Sequence, residues 1–209
     1  APLITARVKP SEDILTHGEY KRSALFLREN NFQPSDLLGP RAKEIISKCS
    51  AVVDTARLER ILGRGFLLSQ AAERWLSRSI WVVSRADEGY PQRLKDMLKE
   101  DAPALLYGCG SKKLLGAGGL AVVGSRMVSD ELISYAENAG RLAASARKNL
   151  VSGGARGIDA AAMRGALEAE GTVLGVLADS LEELALVREH REFIMDSRLT
   201  LISPYDPAV

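Results

Sequence analysis

The sequence predicts an α/β protein in which a Rossmann-like parallel sheet follows a small all-α domain. Three observations carry that expectation. From Leu120 onward, short apolar β-type runs alternate with helical periods, the pattern of β–α–β crossovers in a parallel sheet. Two of those runs, Ala121-Val122-Val123 and Leu150-Val151, break at Ser and Gly before the chain re-enters a helix. Between residues 19 and 77, by contrast, helical periods dominate and β-branched runs are few.

Taken in order, residues 1–17 are polar, contain Pro2 and Pro10, and read as an extended lead-in. Residues 18–78 form the helical domain. Leu25, Phe26 and Phe32 mark one apolar stripe, and Ile45, Ile46 and Val53 another. Asp54 stands as the N-cap of a helix through Leu58, Ile61 and Leu62; Gly63 and Gly65 punctuate it, and a helix restarts over 66–77. Residues 79–209 form the second domain. Its elements are a strand over 80–84, a helix opened by Tyr90-Pro91 and running through Met97, and a strand over 104–107. After Gly116-Ala117-Gly118-Gly119 come a strand at Val122, a helix over 131–147 and a strand at Leu150-Val151. A helix over 158–168, a strand over 173–177, a helix over 184–195 and a strand over 199–202 complete it.

Bulk properties narrow the function. At 209 residues and 46% hydrophobic, the chain can bury one or two cores. Lys+Arg 28 against Asp+Glu 27 leaves a formal net charge of +1, so binding to a polyanion must come from locally placed arginines. Cys49 and Cys109 lie far apart without metal-ligand neighbours, which excludes a disulfide framework and fits a reduced cytoplasmic setting. No signal-peptide core and no run of membrane-spanning length occurs.

The two glycine-rich turns are the candidate site. A strand that ends in such a turn brings backbone and helix N-terminal N–H groups to one point, which suits a phosphate. The first turn supplies Gly124, Ser125, Arg126 and Ser129; the second supplies Ser152, Gly153, Gly154, Ala155, Arg156, Gly157 and Asp159. The turns are expected side by side at the ends of neighbouring parallel strands. Arg126 reads as a bidentate phosphate ligand, or else as a clamp on the neighbouring loop; Arg156 reads as a phosphate ligand or as a solvent-facing arginine. Ser125, Ser129 and Ser152 offer hydroxyls to phosphate, and Ser129 doubles as an N-cap. Asp159 is expected to anchor the second loop through backbone N–H groups. His17 and His190 have no partner visible in sequence, and no catalytic residue, cofactor or metal ligand is expected.

Other motifs have plainer readings. Gly63-Arg64-Gly65 resembles the turn of a helix-hairpin-helix, although a packing break accounts for it as well. Trp75 and Trp81 read as core or domain-interface residues, since 5% aromatic content gives little support to a base-stacking surface. The mixed-sign run Arg188-Glu189-His190-Arg191-Glu192 reads as a solvated helix face.

At these turns the chain resembles the DprA/Smf family. Gly124-Ser125-Arg126 with Ser129, followed by Ser152-Gly153-Gly154-Ala155-Arg156-Gly157-Ile158-Asp159, is similar to that family's signature. Asp87, Tyr90-Pro91, Leu94, Pro103 and Leu106-Tyr107 upstream, and Gly165-Ala166-Leu167, Gly171 and Gly175-Val176-Leu177 downstream, extend the match. The resemblance covers residues 80 to 209 and, more loosely, the helical domain, which in the family is often SAM-like. It departs at Asp130-Glu131-Leu132, where many members carry Tyr-Gly, and near Met163, where a histidine is common.

The resemblance implies a single-stranded-DNA-binding protein that loads a RecA-type recombinase in natural transformation or recombination, homodimeric at full length and without catalysis. Members continue beyond the position of Val209, so the polypeptide is expected to continue and its sheet to be incomplete at the C-terminus. The strand over 199–202 is then expected beside the Val122 strand, with its other edge open. The rival is a Rossmann-like nucleotide sensor or a phosphoribohydrolase. The Pro-Gly-Gly-x-Gly-Thr-x-x-Glu stretch that supplies the hydrolase's glutamate does not occur.

Overall fold

A computed structural model of the chain describes residues 14–208, so nearly all of the expected lead-in lies outside the described residues. The contacts divide the chain into two compact units, Ala1–Arg74 and Trp75–Val209.

In the first unit, Thr16 and Glu19 form a reciprocal capping box at the start of α1 (His17–Glu29). The Thr16 amide bonds to the Glu19 carboxylate and, with Arg57 at 2.8 Å, holds that carboxyl below its ordinary range. One carboxylate thus caps α1 and ties it to α3 (Thr55–Leu62). Asp54 caps α3 through the Arg57 amide at 2.6 Å, as its sequence position indicates. With α2 (Ala42–Lys48), these helices enclose Leu27, Ile45, Ile46, Leu58 and Ile61. The expected stripe holds in part: Phe26 and Phe32 pack against this core, whereas Leu25 does not. Leu25 is 42% exposed and Leu27 takes the core position, because the inward face includes the buried polar Ser23, which conceals the period. Gly63 keeps helical torsions (φ −66°) and Arg64 is buried, which supports the packing reading of the break before α4 (Gly65–Ser77).

The second unit is built on a six-stranded sheet. Its strands are β1 (Ile80–Ser84), β2 (Leu105–Cys109), β3 (Leu120–Ala121), β4 (Leu150–Ser152), β5 (Val173–Val176) and β6 (Leu199–Ser203), in the order β1-β2-β6-β5-β4-β3. β3 to β6 run parallel; β1 and β2 join antiparallel beside β6. The connections include α5 (Gln92–Leu98), α6 (Asp130–Ser145), α7 (Ile158–Glu168), α8 (Leu181–Leu186) and α9 (Arg188–Met195).

The order overturns the expectation for the last strand. β6 lies between β5 and β2, not beside the Val122 strand, and all five of its residues are buried. The edge strands of the sheet are β1 and β3, and at the β3 edge Leu120 is 45% exposed. The reason is that β1 and β2 return antiparallel to cover β6, an option that β–α–β alternation alone does not encode. Other elements shift too. The strand expected at Val122 is Leu120–Ala121, which leaves Val122 and Val123 outside it. α6 stops at Ser145 because Arg147 takes a left-handed φ of 53°. The single helix expected over 184–195 is two, broken at an extended Val187.

α6 and α7 pack against each other on one face of the sheet. The contact is made by glycine: a Cβ on Gly140 would fall on Ala162 O, and one on Gly165 on Glu137 O. Glu137 then bonds to Arg164 and Arg141 on the exposed rim, and Arg164 foremost holds its carboxyl below the ordinary range. Trp75 packs edge-on against Tyr107 with ring centroids 5.1 Å apart, and the Trp81 indole N–H donates to Gly110 O at 2.8 Å. Both rings are structural. Among the described residues no helix is long and apolar enough to cross a membrane.

Candidate functional site

β3 and β4 pair in parallel, with Leu120 opposite Leu150 and Ala121 opposite Val151. Both glycine turns therefore leave from the same end of adjacent strands. Contacts lock them together. Gly157, at φ 82°, is the residue before α7, and a Cβ there would fall on Ser125 O and within 2.9 Å of Arg126 O. Only glycine allows the second loop to lie directly on the backbone of the first. Gly154, at φ 71°, makes the preceding turn. Gly124 and Gly153 have no left-handed torsion but are crowded: added Cβ atoms would meet Ile158 at 2.7 Å and the Asp159 carboxylate at 2.8 Å. The Ile158 amide completes the junction by donating to Ser125 O at 3.2 Å.

Asp159 is the tie. Its side chain is buried, with one carboxylate oxygen accepting from Gly124 N at 2.9 Å and the other from Gly153 N at 3.0 Å. Sequence reasoning placed it as an anchor of the second loop; in the structure it holds both. The same bonds remove two backbone donors from the cradle and place a negative charge behind it. The groups on the rim stand outside these bonds.

Those rim groups are the arginines. Arg126 and Arg156 are exposed, and among the described residues neither makes a hydrogen bond or ion pair. The clamp reading of Arg126 therefore has no contact behind it. Ser129 occupies the N-cap position of α6, but its side chain makes no capping bond, so its hydroxyl is available. Ser125 is exposed, and its hydroxyl closes a local turn with Met127 at 3.1 and 3.3 Å. Ser152 corrects the sequence reading: it is 2% exposed and its hydroxyl donates to Val122 O at 2.7 Å, so it braces the turn after β3 against β4 and offers nothing to a ligand. Ala155 contributes backbone, its carbonyl accepting from Ala160 N at 3.0 Å. Ile158, the spacer beneath Gly124, was missed; its place between Gly157 and Asp159 was the available signal.

No group of His, Cys, Asp or Glu among the described residues is arranged to hold a metal ion. His190 has a partner that the sequence did not show, its Nδ1 lying 3.0 Å from Leu184 O. Cys49 and Cys109 are buried and free, and burial raises both thiol pKa values.

The profile of the family described as DNA recombination-mediator protein A matches residues 81–209. No curated protein matches the chain significantly. Among solved structures it is similar to DNA processing protein A (DprA) from Streptococcus pneumoniae, with a TM-score of 0.67 and 24% identity over 94% of this chain and 65% of that one. It is also similar to DNA processing protein A from Helicobacter pylori, a structure described for its single-stranded DNA binding mode, with a TM-score of 0.45 and 23% identity over 61% and 56%. The likeness to the pneumococcal protein is one of fold, and the chain spans 65% of that protein's length.

Proposed function

The chain belongs to the DNA recombination-mediator protein A family, and from that premise we propose that its paired loops bind the backbone of single-stranded DNA and present the strand to a RecA-class recombinase. One observation carries the reading: two exposed, unpaired arginines, Arg126 and Arg156, stand on loops that Gly157 and Asp159 hold in contact. Guanidinium groups carried on loops held in this way suit bidentate contacts to phosphate oxygens. Phosphate contacts position a strand without reading its bases, so sequence preference is weak. The Ser129 hydroxyl and the backbone of Gly154 and Ala155 complete the contact surface.

Binding releases condensed counterions and requires no bond to be made or broken, so the protein acts by positioning and not by catalysis. In this reading it works in the cytoplasm and as a homodimer. The mononucleotide reading is the weaker one on physical grounds. Two backbone donors of the turns, the Gly124 and Gly153 amides, are already bonded to Asp159 and are not free to enclose a terminal phosphate. Fluorescence anisotropy with an oligothymidylate, against competition by mononucleotides, tests the reading. Tight oligonucleotide binding that millimolar nucleotide leaves intact is expected; displacement by a mononucleotide would favour the nucleotide sensor.

A further inference from the structure

On the helical face of the sheet, α7 and the α8–α9 pair do not close against each other and leave a groove of about 430 Å³. Its floor is apolar, made by Met163 and Leu167 of α7 with Leu177 and Leu201 from the sheet side, and Leu184 and Phe193 form the far wall. The groove begins at Gly154 of the second loop but differs from the loop site in charge. Arg164 on its rim is neutralised by Glu137, and Glu168 by Arg141 at 3.3 Å. Glu189 and Glu192 also line it, and neither has an ion pair among the described residues. Arg188 and Arg191 of the same helix are not lining residues. Of the mixed-sign run of α9, Glu189, His190 and Glu192 line the groove; the His190 Nδ1 faces Leu184 O, which leaves the two carboxylates toward the groove without an ion pair.

We propose that this groove docks a short apolar segment flanked by Lys or Arg, presented in helical form by a protein partner. Charge complementarity selects that occupant. Apolar side chains spaced by helical turns fill a hydrophobic groove, cations beside them meet Glu189 and Glu192, and the same carboxylates repel a phosphodiester strand. A segment bound there lies next to the second loop, so the partner and the DNA site are neighbours. The site does not depend on the DNA reading.

The test is a two-dimensional ¹H–¹⁵N NMR titration of the 209-residue chain with an amphipathic Lys/Leu helical peptide, a Glu/Leu peptide of identical pattern, and an oligothymidylate. The Lys/Leu peptide is expected to shift amides around Met163, Leu167, Leu184 and Phe193, and the Glu/Leu peptide to leave them unmoved. Because both positions are exposed, a Glu189→Lys/Glu192→Lys variant retains the fold; it should bind the Lys/Leu peptide about tenfold more weakly, equal to ~1.4 kcal/mol. Shifts scattered over the surface, an equal response to both peptides, undiminished binding by the double variant, or groove shifts caused by the oligonucleotide would each overturn the proposal.

Discussion

Replacing Asp159 by alanine should separate the two loops, and the structure sets the size of the effect. The substitution removes two hydrogen bonds from Gly124 N at 2.9 Å and Gly153 N at 3.0 Å to a carboxylate that is 4% exposed. Bonds to a charged group contribute about 1.5–3 kcal/mol each. Gly124 is itself exposed, so its amide regains water in the variant and part of that sum returns. A net loss of about 3 kcal/mol remains, roughly 10 °C in Tm for a unit of this size. Trp75 and Trp81, the two tryptophans of the chain, both belong to the second unit, so tryptophan fluorescence during heating reports the unit concerned. Single-stranded DNA affinity should fall with stability, because the arginines lose their common support. A Tm within ~1 °C of the parent would show that Asp159 does not tie the loops and would remove the reason for treating them as one site.

Three further outcomes are expected. Gly165→Ala places a methyl group on Glu137 O and 2.7 Å from its carbonyl carbon, so α6 and α7 must part. Chemical denaturation should show a net loss of about 2 kcal/mol after the helix preference of alanine is counted, and unchanged stability would contradict the packing. Glu137 has its folded pKa lowered by Arg164, so its contribution is present above the unfolded value and is lost as pH falls through the folded pKa. Glu137→Gln should therefore narrow the stability difference between neutral and acidic pH, and an identical acid profile would contradict this. In hydrogen exchange, amides of β6 should be slow and that of Ala121 on the edge strand β3 fast; rapid exchange across Leu199–Ser203 would contradict the interior position of β6.

Much of the fold was legible because its signals are local. Ile158–Glu168 and Ile80–Ser84 emerge with the boundaries that their residues indicate, the first following Gly157 and the second preceding a polar break. The adjacency of the two turns was legible too, since a single crossover helix joins their strands. The position of β6 was not: its pairing with β2 joins residues as distant in sequence as Tyr107 and Ser203, and no periodicity records it. Leu27 was missed because Ser23 interrupts the apolar stripe. In the site, glycines and arginines announce themselves by type, whereas the roles of Ser152 and Asp159 depend on what lies across the loop. A serine whose hydroxyl meets a neighbouring strand and one whose hydroxyl meets solvent are identical in sequence.

The salt dependence of single-stranded DNA binding by Arg126→Ala and Arg156→Ala tests the central claim most directly. Both side chains are exposed and unpaired, so their removal leaves the fold intact. If each holds one backbone phosphate, the plot of log affinity against log salt should be shallower by about 0.7 in each variant, with equal weakening across unrelated base sequences. A slope unchanged from the parent, in variants that unfold at the parental temperature, would mean that the paired loops are not where the strand is held.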